Sequence, residues 1–331
     1  VNDEYADPAV GDLSEREVLR SILEKLGPSS ALIGPGDDAA VLSAADGRVV
    51  ATVDTLVHGP DFRLAWSSAF DLGYKSAAVN LADIAAMGAT PTALLVALAM
   101  PDSTRLSFVT GLAEGLRAAC HDLAPGCTVE GGDLTVSDTL TIAVTALGAL
   151  AGRAPVLRSG AQRGDVVAIA GEIGRAARGL RILFERFTDA TGTPIPLDER
   201  VLSPAERGDL AAQLRPTPPV SLGPLAAEGG ATAMMDVSDG LVLDATRLAT
   251  ASGVTVALHS SELGPDVEAA LTDGEDHALL ATFPAGHALP SGFRRVGEVV
   301  AAGETPVLVD GVAHRGRGGW DPYRDWDART G

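Results

Sequence analysis

Seven aspartates stand along this chain where a carboxylate can do chemistry. Asp37 and Asp38 follow Gly34-Pro35-Gly36, Asp54 follows the apolar run 49–53, Asp83 lies on a helical stretch, Asp133 follows Gly131-Gly132, and Asp236 and Asp239 flank Ser238 ahead of Gly240. Hard cations take oxygen ligands, so a glycine turn that bares backbone and then offers a carboxylate suits a divalent ion. Taken singly, Asp-Asp after Gly is equally a plain surface turn, and Gly-Gly-Asp ahead of the alternating run 139–147 is equally a hairpin. Number separates the readings. Asp38, Asp54, Asp83 and Asp133 sharing one place would repel one another, so their convergence implies bound cations. At 231–237 an apolar run leads directly into Ser238-Asp239-Gly240, and a strand-to-helix junction there offers N–H groups to phosphate and carboxylates to its metal.

The elements that must position these groups are legible from periodicity. In 71–91, Ala77, Leu81, Ile84 and Ala85 form an apolar stripe and Ser76, Asn80 and Asp83 a separate polar one. The polar face carries small residues and one carboxylate, which predicts close approach by a metal ion or phosphate. Gly88 suits a left-handed cap, and Pro91 forbids continuation. An amphipathic helix is expected over 15–26 after a Ser14 cap. A buried strand follows at 93–100, a helix at 106–123, and strands at 128–133, 139–147, 165–170 and 278–282. Gly171 to Gly174 sits between a strand and a helix running to Phe187; it is either a phosphate cradle at a helix N-terminus or a simple connection. No Gly-Lys-Ser/Thr follows, so it is not a Walker loop. The stretch 189–202 reads as an exposed loop, and 215–219 as a rigid segment that either turns Arg215 toward phosphate or links two elements. Trp320, beside Gly319, either fills a core or stacks on a flat ring.

Composition narrows the partners. The 331 residues, 46% of them hydrophobic, suffice for two packed domains with a boundary at 149–155. A formal net charge of -19 argues against nucleic acid or an anionic membrane surface, and an anionic substrate would need divalent metal to bridge the repulsion. Cys120 and Cys127 show neither CxxC spacing nor a histidine cluster, which argues against a disulfide framework or zinc site. No apolar run reaches membrane-span length and the first twelve residues are acidic, so a cytoplasmic protein is expected.

In order and across nearly the whole chain, GPGDDAAVL, VDTLV, DLGYKSAAVNLADIAAMGATP, EGGDLT, LRSGAQRGDVVAIAGEIG, RPTPPVSLG, MDVSDGL, DGEDHALL and the late GGWD resemble the thiamine-monophosphate kinase family. That family stands with aminoimidazole ribonucleotide synthetase and selenophosphate synthetase among ATP users without a Walker loop. The resemblance implies a two-domain α/β fold. An N-terminal domain, 1–150, would bind ATP and Mg2+ and pair its sheet with that of a second subunit, forming a barrel at a homodimer interface. A C-terminal α/β domain, 151–331, would complete the active site. Matched position by position, Asp38, Thr52, Val53, Asp54, Asp83, Asp133, Asp236 and Asp239 are implied to hold several Mg2+ ions, with Asp54, Asp83 and Asp133 as the metal and phosphate cage and no residue as general base. Gly132, Asp133, Arg158 and Ser238 match ATP contacts, and Asp61, Glu275 and Trp320 match contacts to thiamine monophosphate.

Two positions depart from the family pattern. Val53 stands where a hydroxyl residue is frequent, so a metal contact there would use its backbone carbonyl; Asp61-Phe62 stands where His-Phe is usual, with His58 three residues earlier. The implied reaction is Mg2+-assisted in-line transfer of the ATP γ-phosphoryl group to thiamine monophosphate. The alternatives are another ATP-using member of the superfamily, or a homologue that binds thiamine phosphates or nucleotide without turnover. Selenophosphate synthetase typically carries a reactive Cys or selenocysteine ahead of its first glycine motif, and no cysteine here precedes Cys120.

Overall fold

The computed structural model describes residues 7–32, 42–315 and 318–320. The elements, in chain order, are α1 (Glu15–Leu26), β1 (Val50–Val57), α2 (Ala69–Ala86), β2 (Thr90–Met100), α3 (Leu106–Leu123), β3 (Thr128–Val136), β4 (Thr141–Ala149), β5 (Val166–Ala170), α4 (Arg175–Arg186), α5 (Pro204–Leu214) and α6 (Leu222–Glu228). They continue with β6 (Ala233–Val237), α7 (Leu241–Ser252), β7 (Thr255–Leu258), α8 (Val267–Thr272), β8 (Ala278–Phe283), β9 (Phe293–Val300), β10 (Val307–Val309) and β11 (Val312–Ala313). The chain builds two sheets and changes from one to the other between β4 and β5. The first has strand order β1-β4-β2-β3 and the second β11-β10-β7-β9-β5-β8-β6. Among the described residues no helix is long and apolar enough to cross a membrane.

The first sheet is covered on one face only. Along β4, Ile142, Val144, Ala146 and Gly148 are buried under helices while the alternate residues are only partly covered, the alternation expected of an antiparallel strand with one packed face. Register then assigns sides to the chemistry-bearing residues. Thr52 pairs with Ala146 and Asp54 with Val144, so both face the covered side; Asp133 pairs with Ala97, which pairs with Ala143, so it faces the uncovered side. Gly131-Gly132-Asp133 is therefore no hairpin turn but the interior of β3. A Cβ at Gly132 would lie 1.9 Å from the Val96 carbonyl oxygen, which explains a glycine where two strands approach closely.

Helix α2 is the hub. Its start is fixed by a Ser68–Asp71 capping box. Its end closes with Gly88 at φ 71° and with Gly88 N–H to Ala85 O and Ala89 N–H to Ile84 O, a Schellman cap. Sequence reasoning predicts one buried and one chemical face, but both Ser76 and Asn80 are buried with the apolar positions. The reason is that α2 is packed from both sides. One core joins Leu72, Leu81 and Ile84 to Leu94, Ile142 and Val144 of the first sheet and to Met234, Leu279 and Phe283 of the second. The small residues admit protein, not ligand, at close range: a Cβ on Gly73 would meet the Leu112 carbonyl oxygen at 2.0 Å, and one on Gly115 the Phe70 carbonyl oxygen at 2.1 Å.

The stretch 189–202 is only partly a surface loop. Leu197 and Leu202 pack with Leu183, Phe187, Leu210 and Leu214 around Trp66, whose indole Nε1–H donates to the Phe187 carbonyl at 2.9 Å. Cys120 and Cys127 are buried free thiols. Because the α2–α3 crossing leaves no room for a methyl group, Gly115→Ala is expected to destabilise the protein by about 1–3 kcal/mol through overpacking, read by denaturant unfolding. Wild-type stability in that variant would show that the helices separate at little cost.

Candidate active site

The carboxylates of the first sheet and of the second meet beside the C-terminal half of α2. Thr52 Oγ1 donates to Asp83 Oδ2 at 2.7 Å, and the Asp54 N–H donates to Asn80 Oδ1 at 3.1 Å. Asn80, expected on a ligand-facing stripe, instead sutures β1 to α2, its amide nitrogen donating to Ser76 O at 2.9 Å. Asp236 ends the buried strand β6 and Asp239 sits in the turn into α7. Their charges are felt across the junction: desolvation, followed by Asp236 and Asp54, pushes the Asp83 carboxyl up to about 7. Desolvation, with Asp236, Asp239 and Glu275 adding to it and His277 opposing, also raises Asp54 above its ordinary value. Four acids from three separate stretches of the chain therefore form one electrostatic cluster. Among the described residues no three acidic, histidine or cysteine side chains yet close around a single point.

Both strand-to-helix turns at which phosphate binding is one of the readings already hold an internal carboxylate. Asp276 accepts the N–H groups of Arg175 and Ala176 at 3.0 and 2.8 Å, occupying the N-terminus of α4. Asp244, fully buried, accepts those of Ser238 and Asp239 at 3.1 and 3.0 Å. Desolvation and the nearby Asp236 and Asp239 push Asp244 up to about 6 despite these bonds. Arg247 Nη1 then bridges Asp239 and Asp244, at 2.6 Å from each. An anion arriving at either turn would have to displace a resident carboxylate. Asp244 and Arg247 escaped sequence reasoning, although their spacing of three on a helix following the Ser-Asp-Gly turn was a usable signal.

A cleft of about 450 Å3 adjoins the cluster, with Asp61, Glu275 and Trp320 all in its wall together with Ser238. Trp66 meets Phe184 edge to face at 5.1 Å, and the Arg63 guanidinium lies 5.9 Å from the Trp66 ring. Trp320 is tied to the Ser-Asp-Gly turn by its N–H, which donates to Asp239 O at 2.9 Å. Lys75, buried on α2, pairs with Glu275; against the opposing effect of desolvation, Lys75 and then His277 hold the Glu275 carboxyl below its ordinary value. Asp61 Oδ2 accepts the Val57 N–H at 2.7 Å. Desolvation raises its carboxyl, with Glu275 adding to the effect. The His58 ring lies tilted against Phe62, centroids 5.5 Å apart, and is not in the cleft wall.

Other expected site residues are not brought to this place by one chain. Asp133 faces the uncovered side of the first sheet on the edge strand opposite β1, roughly 14 Å away across three strand spacings. Gly132 shares that edge strand. Arg158 is exposed beside the start of β6, and its carbonyl accepts Ser252 Oγ at 3.0 Å, at the end of α7 remote from Ser238. Val53 points its side chain to the uncovered face, which leaves the expected contact to its backbone carbonyl between Thr52 and Asp54. Arg215, read as a possible phosphate contact, lies 3.4 Å from Asp71. Asp38, with the rest of its glycine motif, lies outside the described residues.

The chain matches the family model for AIR synthase related protein, N-terminal domain, over residues 36–150. It is 39% identical over 336 aligned residues to the thiamine-monophosphate kinase of Mycobacterium tuberculosis, covering 97% of this chain and 95% of that one. It superposes on the crystal structure of thiamine-monophosphate kinase from Stenotrophomonas maltophilia K279a with a TM-score of 0.75 at 32% identity, over 91% of this chain and 98% of that one. It also superposes on AaThiL complexed with AMPPCP and TMP, with a TM-score of 0.73 at 30% identity over 93% and 96% of the two chains. Full-length identity at this level, joined to the same two-sheet architecture, means that the chain belongs to the thiamine-monophosphate kinase family.

Proposed function

We propose that this protein transfers the γ-phosphoryl group of ATP to the phosphate of thiamine monophosphate, producing thiamine diphosphate. The observation that carries the reading is the cluster of Asp54, Asp83, Asp236 and Asp239 set beside a cleft with aromatic walls, in a family whose AaThiL member forms a complex with AMPPCP and TMP. The acceptor is a phosphate oxygen, anionic at neutral pH, so no general base is required and positioning with charge neutralisation dominates. Trp320 in the cleft wall offers a flat surface to a ring of the acceptor. Glu275, kept ionised by Lys75, offers a hydrogen-bond acceptor.

The donor set fits Mg2+. Every candidate ligand is oxygen, and desolvation together with the charges of Asp236 and Asp54 raises the Asp83 carboxyl, which supports a site that gains from a bound cation. Mg2+ uses one or two carboxylates and keeps several waters, so side chains that do not yet close on one point remain suitable. With the amides of 175, 176, 238 and 239 already bonded to Asp276 and Asp244, nucleotide phosphates must find positive charge elsewhere. Bound Mg2+ would neutralise the crowded phosphates and act as a Lewis acid. Asp54, Asp83 and Asp236 would share several such ions among them, with Thr52 steadying Asp83. Asp239 would join by exchanging Arg247 for metal.

The domain division 1–150 and 151–331 and a homodimer form part of the same proposal. The uncovered face of the first sheet, which includes Ala51, Val53 and Ala97, supports pairing with a second copy through this face. Asp133 lies on that face and belongs to the interface side in this reading.

Incubation with ATP, Mg2+ and thiamine monophosphate is expected to yield thiamine diphosphate; binding of both substrates without product would identify a non-catalytic homologue instead. Asp54→Asn and Asp83→Asn are each expected to lower kcat about a hundredfold or more, the scale seen when one preorganised charge-stabilising group is removed, with unchanged circular dichroism. Near-normal turnover in either would dissolve the shared cage. A stability measurement is independent of turnover. Asp83 binds its proton up to about pH 7 in the folded chain but only to the ordinary 3.8 when unfolded. Within that window the folded state carries the extra proton, and stability contributed by this group falls as pH rises. Metal-free protein is therefore expected to show a Tm that declines less steeply across this window in Asp83→Asn than in wild type, with Mg2+ restoring wild-type Tm near neutrality. Identical slopes would show that Asp83 is not under electrostatic stress.

A further inference from the structure

Residues 274–277 form a turn whose side chains serve three different elements. Glu275 has φ 75° and His277 φ 53°, left-handed values that side chains other than glycine rarely adopt. The turn is held by main-chain bonds to the end of β6, Glu275 N–H to Ser238 O at 2.9 Å and His277 N–H to Val237 O at 3.1 Å. Such strain persists where the surroundings overdetermine it. Here it delivers Glu275 to the cleft, Asp276 to the N-terminus of α4 and His277 to Asp236 in consecutive positions.

His277 is 6% exposed and Asp236 4% exposed. Nδ1 of the imidazole lies 3.1 Å from Asp236 Oδ2, and because an ionised carboxylate only accepts, Nδ1 carries the hydrogen. Nε2 is buried with no hydrogen-bond partner. A leucine or phenylalanine would occupy this volume without leaving a buried nitrogen unsatisfied, so packing does not account for the imidazole. The Nδ1–H bond does.

Resting on the kinase reading above, we infer that His277 is a positioning residue for the metal site. By occupying Asp236 Oδ2 it fixes the carboxylate so that its other oxygen is turned toward the cluster with Asp54 and Asp83. A histidine that orients a metal-binding carboxylate from behind is invisible in a list of ligands, yet such outer contacts set affinity.

The test uses the full-length protein and Mn2+ titrated by electron paramagnetic resonance in the presence of AMPPCP. His277→Leu is expected to weaken Mn2+ binding about ten- to a hundredfold, the usual effect of losing an outer-shell contact. Thiamine monophosphate affinity, read from tryptophan fluorescence, is expected to change by less than about threefold, since the cleft wall is untouched. His277→Asn places an amide N–H near the Nδ1 position and is expected to recover Mn2+ affinity; His277→Gln reaches toward Nε2 and is expected not to. In an Asp236→Asn background, His277→Leu should add nothing, because a residue acting through Asp236 has no further target. Unaltered Mn2+ affinity in His277→Leu, parallel loss of both ligands, or rescue by Gln equal to that by Asn would overturn the inference. If His277→Leu does not fold, the Asn and Gln variants alone decide. Failure of wild-type protein to bind Mn2+ with AMPPCP would instead count against the kinase reading.

Discussion

Negative charge crowded into a confined space is the constraint on which the rest of this structure depends. Asp54 on β1, Asp83 on α2, Asp236 on β6 and Asp239 in the turn before α7 are drawn together, and desolvation, followed by the charges of Asp236 and Asp54, drives Asp83 far above an ordinary carboxylate. Such a cluster is tolerable only if the scaffold is held together by something stronger. That role falls to α2, buried from both sides and locked at each end by a capping box and a Schellman cap. The close α2–α3 crossing and the shared apolar core supply the cohesion that the site spends.

The same logic explains how the chain treats its helix N-termini. Carboxylates are numerous in a protein of net charge -19, and two of them, Asp244 and Asp276, are absorbed by the backbone amides that open α7 and α4. The bonds to Asp276 satisfy orphan donors of α4, and those to Asp244 hold the turn ahead of α7. They also occupy amides that would otherwise be open to an incoming anion. Catalysis by an acidic protein on two anionic substrates is thereby consistent with its composition. The chain's few buried cationic or imidazole groups near the cleft, Lys75 and His277, are each committed to a single carboxylate, Glu275 and Asp236.

Much of the fold was legible because its signals are local. The span of α3 agrees with its periodicity from end to end, the Ser14 and Gly88 caps formed where their residue types allow, and the run into Ser238-Asp239-Gly240 became a strand, turn and helix. The misreadings share one cause. Asn80 reads from periodicity as ligand-facing and Gly131-Gly132-Asp133 as a strand end or a hairpin, because periodicity reports which residues share a face but not what that face meets. A polar side chain on a helix and a glycine pair in a strand look the same whether they face solvent, ligand or another element.

Family, α/β character, acidic composition and the candidate carboxylates were all legible in the chain, since these reside in composition, motif order and short-range spacing. Tertiary structure alone decided which acids meet. Thr52 bonds Asp83, while Asp133, in an equally suggestive motif, is turned to the other face of the same sheet by strand register. It also decided that Lys75 would neutralise Glu275 from 200 positions away and that His277 would stand behind Asp236. Electrostatic interaction falls with distance through space, and distance through space is set by register and packing, neither of which is written in the separation of residues along the chain.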